Sequence, residues 1–252
     1  VQKHFRSLAE AAGTIAHPMI RNQGTMGGNL CLDTRCTYYN QTFFWREALG
    51  FCLKKDGDVC YVVKGGTRCV AAHSADTPPV LMTLGAAVDL ASADGVRTVA
   101  ADGFFTPDGI WNTARQPHEL VTRVRVPLPA PKLRTSFQKL RERKSVDFPI
   151  LCVALALELG RGGGGGGGDV VESISLVVSA LGAKPRSIGG LEKLAVGQRL
   201  TPNLIEEVAR QAHRQCHPLD NIIVDTQWRR AMVPVYVRRA FRDILAEPRA
   251  AA

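Results

Sequence analysis

Residues 21–29 read RNQGTMGGN, with Gly24, Gly27 and Gly28 set around Thr25 and Asn29 at the end. Glycines this close together let backbone N–H groups converge on an anion with no side chain in the way, a common way of holding a pyrophosphate. Thr25 and Asn29 can add hydrogen bonds. A tight turn between two elements accounts for the same residues equally well, and the spacing is not the dinucleotide fingerprint G-x-G-x-x-G. Taken by itself, the stretch leaves anion cradle and turn open.

The chain around this loop has 252 residues, 45% of them hydrophobic and 22% charged. That balance excludes a disordered chain, and the length suffices for one or two domains with substantial cores. The formal net charge of +9 invites a nucleic-acid reading. The basic residues are nevertheless spread along the chain, with no nucleic-acid motif or interleaved aromatics, so nucleic acid is not expected as a partner. Residues 134–144 and 229–242 are the densest basic groups. The second reads as an amphipathic helix whose arginines form a solvated face, with docking onto an acidic partner as the alternative. No apolar run is long enough to span a bilayer and the start, VQKHFRSLAEAAG, is not a secretory signal, so a soluble, cytoplasmic protein is expected.

Upstream of the loop, residues 7–15 read as a short helix ended near His17-Pro18. Downstream, residues 31–70 lack sustained periodicity and read as a long ordered loop. Residues 78–90 (PPVLMTLGAAVDL) suggest a short helix running into a strand, and residues 122–126 (TRVRV) a strand that stops at Pro127. PLPAPK at 127–132 marks the best boundary, beyond which strands are followed by helices. Residues 148–159 and 170–181 are β-rich and flank a polyglycine tract at 160–168, read as a flexible hairpin connection. As a phosphate loop the tract would lack its Lys-Ser/Thr pair. Thr201-Pro202 starts a helix with Leu204, Ile205, Val208, Ala209 and Ala212 on one apolar face. Thr226 is expected to cap the last helix and Pro234 to kink it.

RNQGTMGGN, followed by SADTPPVL at 74–81, resembles the flavoprotein (medium) subunit of the molybdenum hydroxylase, or xanthine oxidase, family. FQKLRER with its downstream DFPI, ELVTRVRVP, ALGAKPR and RRAMVPVYVRRA are similar to further landmarks of that family, so the resemblance covers nearly the whole chain. It implies an α+β chain: the C-terminal part of a PCMH-type FAD-binding domain over residues 1–130, then an α/β domain like the C-terminal domain of CO dehydrogenase flavoproteins over 131–252. It also implies FAD contacts at Gly24, Thr25, Gly27, Gly28, Asn29 and Asp76, with Lys139 and Arg143 near the flavin. Family members carry a preceding lobe with another glycine loop. Starting at Val1, this sequence points to a piece of a longer chain, to a lobe supplied by another chain, or to impaired FAD binding.

Between the glycine loop and Ser74 lie Cys31, Cys36, Cys52, Cys60 and Cys69. An odd total of seven cysteines in a chain without a secretory signal favours free thiols or metal ligation over disulfides. Four of the five satisfy an iron–sulfur cubane, but the spacing lacks the C-x2-C hooks of structural zinc and common ferredoxins. Cluster, zinc and free thiols thus remain open from spacing alone. The stretches CLDTRCTYYNQ, WREALGFCLK and RCVAAHSADTPPVL resemble the [4Fe–4S]-bearing insertion of the 4-hydroxybenzoyl-CoA reductase β subunits. On that resemblance the loop at about 31–70 holds a [4Fe–4S] cluster on Cys36, Cys52, Cys60 and Cys69. Cys31 is then a packed thiol, Cys152 an inert core cysteine and Cys216, beside His213 and His217, a surface thiol. Tyr38, Tyr39 and Trp45 read as loop packing, while Arg35 and Arg68 can offset the charge of a thiolate-bound cluster.

The resemblance implies an electron-transfer subunit with FAD and [4Fe–4S] as cofactors. Its partners would be a molybdenum-cofactor large subunit and a [2Fe–2S] small subunit, with ferredoxin as donor and benzoyl-CoA formed by reductive dehydroxylation. No catalytic acid–base set is expected on this chain. Three alternatives are an FAD subunit of a related aromatic or heterocycle dehydrogenase, a flavin-free cluster-bearing interaction module, and a zinc-stabilised domain.

Overall fold

A computed structural model describes residues 1–161 and 169–246. Five short helices come first: α1 (Arg6–Gly13), α2 (Pro18–Gln23), α3 (Met26–Leu30), α4 (Phe43–Ala48) and α5 (Pro78–Thr83). They are followed by strands β1 (Ala87–Ser92), β2 (Gly95–Ala100), β3 (Leu120–Arg125), β4 (Leu133–Leu140), β5 (Leu151–Arg161), β6 (Asp169–Ser179) and β7 (Arg186–Ser187). Helices α6 (Leu191–Ala195), α7 (Pro202–Gln215) and α8 (Thr226–Ala246) complete the chain. The fold is α+β.

Two antiparallel sheets organise it. In the first, ordered β2-β1-β3, the central strand buries Val88 and Leu90. Asp89 on that strand is also buried; it accepts from Thr98 Oγ1 at 2.8 Å and pairs with Arg125 at 2.7 Å, so both neighbouring strands satisfy its carboxylate. The second sheet, β4-β5-β6-β7, carries α7 and α8 on one face. Alternation along β5 explains how the two parts of the chain join. Leu151, Val153, Leu155 and Leu157 enter the core beneath α7 and α8. Cys152 and Ala154, on the opposite face, enter a core with Leu8, Leu30, Val80, Leu81 and Phe104. A strand buried on both sides reads as a continuous apolar run, as LCVALALEL does.

The expected helix near residue 7, the helix-to-strand passage near 78–90 and the strand before Pro127 are all present. Strands β5 and β6 pair antiparallel to the register Arg161↔Asp169; the polyglycine reading itself falls on residues outside those described. Thr201 caps α7 by accepting from Leu204 N–H at 3.2 Å, and Leu204, Val208, Ala209 and Ala212 are buried as the spacing requires.

Helix α8 corrects two readings. Asp225, not Thr226, caps it, accepting from Trp228 N–H at 2.6 Å. The helix runs through Pro234 from Thr226 to Ala246. Arg229 is not on a solvated face but fully buried, donating to the carbonyls of Leu219 and Ala180 and to Asn221 Oδ1. Cys216 is likewise buried under Arg186 and Arg230, and burial pushes its thiol up to about 12. No helix among the described residues is long and apolar enough to cross a membrane.

Candidate functional site: a glycine loop and a four-cysteine cavity

The glycine loop is the start of a short helix. Gly24 follows α2, and Thr25 caps α3 by accepting from Gly28 N–H at 3.0 Å. None of the loop's glycines has a positive φ. What Gly27 supplies is closeness: a Cβ there would lie 3.3 Å from Val121 Cγ1, so α3 sits directly against β3. Asn29 Oδ1 accepts from Thr77 Oγ1 at 2.6 Å and from Thr77 N–H at 3.3 Å, tying the loop to the residue after Asp76. A cleft of about 510 Å³ opens beside it, walled by Thr25, Met26, Gly27, Val121 and Arg123.

Asp76 and Lys139, far apart in sequence, form a buried ion pair at 2.8 Å, with side chains 6% and 3% exposed. Lys139 Nζ also donates to Thr14 O at 3.1 Å, and Cys152 Sγ lies 3.9 Å from Asp76 Oδ1. Burial raises the Asp76 carboxyl to about 6 in spite of Lys139, Arg141 and Cys152, all of which pull it down. Cys152 is fully buried and its thiol is pushed well up, as befits an inert core cysteine. Arg143 stands apart from this pair: its polar contacts go to Val146 and Asp147 in its own turn, and it is largely exposed.

The second feature is a small cavity lined by Cys36, Cys52, Cys60 and Cys69 together with Tyr38, Tyr39 and Lys54. Residues 31–70 are mostly irregular, as expected, but built rather than loose. A two-way backbone bridge between Arg35 and Ala72, at 2.9 and 2.6 Å, holds Cys36 beside the strand-like stretch that follows Cys69. Asn40 Oδ1 receives the Cys36 N–H at 2.9 Å. Cys52 sits in a tight turn, its carbonyl accepting from Lys55 and Gly57 at 2.9 and 3.2 Å. Phe51 and Asp56 flank that turn at φ +61 and +67. Side chains rarely adopt that region, and the strain of about 1–3 kcal/mol per residue must be offset by the surrounding contacts. Tyr38 stacks near Trp45 and Tyr61, at 6.3 and 5.2 Å between ring centroids, so the packing role read for Tyr38 and Trp45 holds.

Burial raises the Cys36 thiol, and the charges of Cys52 and Cys60 raise it further. Burial pushes Cys69 up to about 11, opposed by the backbone N–H of Ala71 and by Lys54. The cysteines therefore feel one another across the cavity. Among the described residues, no three His, Cys, Asp or Glu side chains are arranged to hold a metal ion as they stand.

Gly109 makes the cavity possible. A Cβ at this position would lie 2.9 Å from Cys69 Sγ and 3.1 Å from Ala71 N, closer than side-chain carbons tolerate. Gly109→Ala is expected to cost about 1–3 kcal/mol through overpacking and to displace Cys69. Urea unfolding together with Cys69 alkylation rates checks this, with Gly103→Ala as the control, because a Cβ there would meet nothing nearer than 3.6 Å.

Sequence reasoning placed the offsetting cations at Arg35 and Arg68, and here the structure differs. Arg35 lies over the Phe148 ring, 3.8 Å from its centroid, and Arg68 is exposed. The cation at the cavity is Lys54, hidden in a Lys-Lys-Asp run that reads as surface. Cys31 is half-buried near Arg115, in keeping with a packed thiol.

Residues 1–129 match the family model described as the FAD binding domain in molybdopterin dehydrogenase, and residues 135–244 match the CO dehydrogenase flavoprotein C-terminal domain. The chain is 31% identical over 180 residues to the glyceraldehyde dehydrogenase medium chain of Sulfolobus acidocaldarius, covering 71% of this chain and 60% of that one. It is 26% identical to the carbon monoxide dehydrogenase medium chain of Hydrogenophaga pseudoflava, covering 95% of this chain and 67% of that one. The solved structure of that carbon monoxide dehydrogenase superposes with a TM-score of 0.71 at 25% identity, covering 100% of this chain and 70% of the other. The chain thus spans between about half and two thirds of the length of these and other curated relatives.

Proposed function

Because the chain belongs to the family of FAD-binding medium subunits of molybdenum-containing dehydrogenases, we propose that it is an electron-transfer subunit holding FAD and a [4Fe–4S] cluster. The observation that carries the cluster is the convergence of Cys36, Cys52, Cys60 and Cys69, spread over residues 36–69, on one cavity. Four cysteines lining one cavity match the ligand count of a [4Fe–4S] cluster; a tetrahedral zinc ion, with its ligands about 2.3 Å from one point, is the competing occupant that metal analysis separates. The cleft walled by Thr25, Gly27 and Arg123 suits an anionic, phosphate-bearing ligand, and Asp76, Lys139 and the rest of the glycine loop are proposed to support the flavin from the side bordering β5. Bound there, the flavin would supply both one- and two-electron exchange and the cluster one-electron exchange.

The chain's own residues then have limited tasks. The four cysteines supply ligands once deprotonated. The aromatic side chains Tyr38 and Tyr39 line the cavity and shield it from water, and the buried Asp76–Lys139 pair fixes the segment between the two sites. We place the division between the FAD-binding and C-terminal units near residue 130.

The proposed partners are a large subunit with the molybdenum cofactor and a small [2Fe–2S] subunit, with ferredoxin as the donor. The cysteine insertion favours 4-hydroxybenzoyl-CoA reduction as the reaction served. A second reading, the FAD subunit of another dehydrogenase of the family, is supported by relatives named for glyceraldehyde, carbon monoxide and nicotinate.

Anaerobic co-expression with the two partner subunits tests the proposal. Iron, acid-labile sulfide and released flavin are expected in stoichiometric amounts, with a [4Fe–4S] EPR signal after dithionite. Cys52→Ser should abolish that signal and leave flavin content intact. A full-strength signal in the serine variant refutes the ligand set, and zinc in place of iron and sulfide refutes the cluster.

A further inference from the structure

Lys54 is the buried cation of the cysteine cavity. Its side chain is only 5% exposed, and it lines the same space as the four thiols. Its ammonium donates to Asp33 Oδ1 at 2.6 Å, to Thr34 Oγ1 at 2.8 Å and to the carbonyl of Gly109 at 2.5 Å. It also stands 4.7 Å from the centroid of the Tyr39 ring, which lines the cavity too. Thr34 is itself fixed, donating to the same Gly109 carbonyl at 2.7 Å, and Gly109 N–H donates to Cys69 O at 2.8 Å. The ammonium and Cys69 are thus held to one glycine, at which an added Cβ would lie 2.9 Å from the Cys69 sulfur.

Burying an ammonium is costly, and a lysine whose only task was to pair with a surface carboxylate would remain at the surface. Asp33 cancels only part of the charge at the cavity. Its carboxylate is 55% exposed and screened by water, whereas Lys54 faces a water-poor interior. Asp108, whose carboxylate accepts from Cys69 N–H at 3.3 Å, is the opposing charge on the other side of Cys69. Arg46 lies over the outer residues, 5.6 Å from the Tyr39 ring centroid, and donates to Lys55 O and Asp56, but it does not line the cavity.

Resting on the cluster reading above, we propose that Lys54 is a positioning residue that sets the reduction potential of the group held by the four cysteines. One-electron reduction, with the electron supplied by dithionite, adds one negative charge to an already anionic thiolate-ligated group and breaks no bond. A fixed cation across a low-dielectric cavity favours the more negative state, so Lys54 raises the potential.

The test is an EPR-monitored redox titration of the co-expressed complex carrying Lys54→Met, Lys54→Arg or Asp33→Asn. Lys54→Met should retain wild-type iron and sulfide content. Its equilibrium constant for reduction should fall about tenfold, equivalent to about 59 mV for one electron. Lys54→Arg keeps the charge and should stay near wild type, while Asp33→Asn should shift the constant the other way, by about threefold. An unchanged midpoint in a fully loaded Lys54→Met overturns the proposal and leaves the cluster reading standing. Should Lys54→Met fail to assemble, an unchanged midpoint in Asp33→Asn overturns it as well. A wild-type complex with no iron–sulfur signal overturns both.

Discussion

Lys139→Met is expected to lower the unfolding free energy by about 3–5 kcal/mol at neutral pH, the usual cost of breaking a buried ion pair by removing one partner. Methionine keeps most of the side-chain volume, so the loss falls on charge and not on packing. Asp76, raised to about 6 by burial even with Lys139 beside it, loses its nearest cation and rises further. The pH dependence follows from the direction of that shift. An acid with a higher pKa folded than unfolded binds more protons in the folded state between the two values. Asp76 therefore makes the wild type less stable as pH rises from about 4, the unfolded carboxylate value, to about 6. In the variant that decline extends to higher pH. The penalty of Lys139→Met should accordingly be largest near pH 7.5 and shrink towards pH 4.5, where Asp76 is protonated and only the hydrogen bond to Thr14 is missing. Urea unfolding followed by tryptophan fluorescence at both pH values measures this. Asp76→Asn in the Lys139→Met background should recover most of the loss, because it removes the buried charge left alone. Equal penalties at the two pH values, or no recovery, would show that the pair is not coupled as described.

This ion pair also shows what the sequence could and could not reveal. Asp76 and Lys139 were each legible as landmarks, but their meeting depends on β4 and β5 pairing through Lys139↔Cys152, a long-range register. Strand β4 itself presents as a basic group, since Arg134 and Lys139 mask its alternation. Strand β2, mostly exposed, carries too little apolar pattern to announce itself. By contrast α7 was legible in detail, because a Thr-Pro start and an apolar face at helical spacing are both local signals. The set of four cysteines comes from the resemblance, since their spacing leaves cluster, zinc and free thiols open; that they line one cavity is visible only in three dimensions. Lys54 was not legible, because a lysine in a charged run is usually solvated; only the three-dimensional position of Gly109 and Thr34 draws it inward. The glycine loop was half legible. Gly27 matters for close approach to β3, whereas the proximity of three glycines in sequence suggests backbone freedom.

Arg229→Met is expected to destabilise the chain by a similar amount, about 3–5 kcal/mol, chiefly through the loss of hydrogen bonds to carbonyl and amide oxygens. Arg229 is fully buried, and burial brings its guanidinium down to about 10, so it remains charged throughout the physiological range. The charge is met by a fork of acceptors: Leu219 O at 2.9 Å, Asn221 Oδ1 at 3.2 Å and Ala180 O at 2.5 Å. Methionine leaves all three acceptors without their donor in a site closed to water. Lysine keeps the charge but cannot fork, so Arg229→Lys should recover only part of the loss. The consequence reaches beyond α8, because Asn221 also serves the cysteine loop. Its Nδ2 donates to Val70 O at 2.7 Å, next to Cys69, and its carbonyl accepts from Thr37 N–H at 2.9 Å, next to Cys36. Arg229 thus fixes Asn221, whose side chain holds Val70 beside Cys69 and whose backbone carbonyl holds Thr37 beside Cys36. Hydrogen exchange should therefore show loss of protection at Thr37 in Arg229→Met, at a denaturant concentration where β5 remains protected. Loss confined to α8, with Thr37 unaffected, would mean that the cysteine loop is held independently of Arg229. Asn221→Ala separates the two roles, since it releases the contact to Val70 while leaving Arg229 two of its three acceptors.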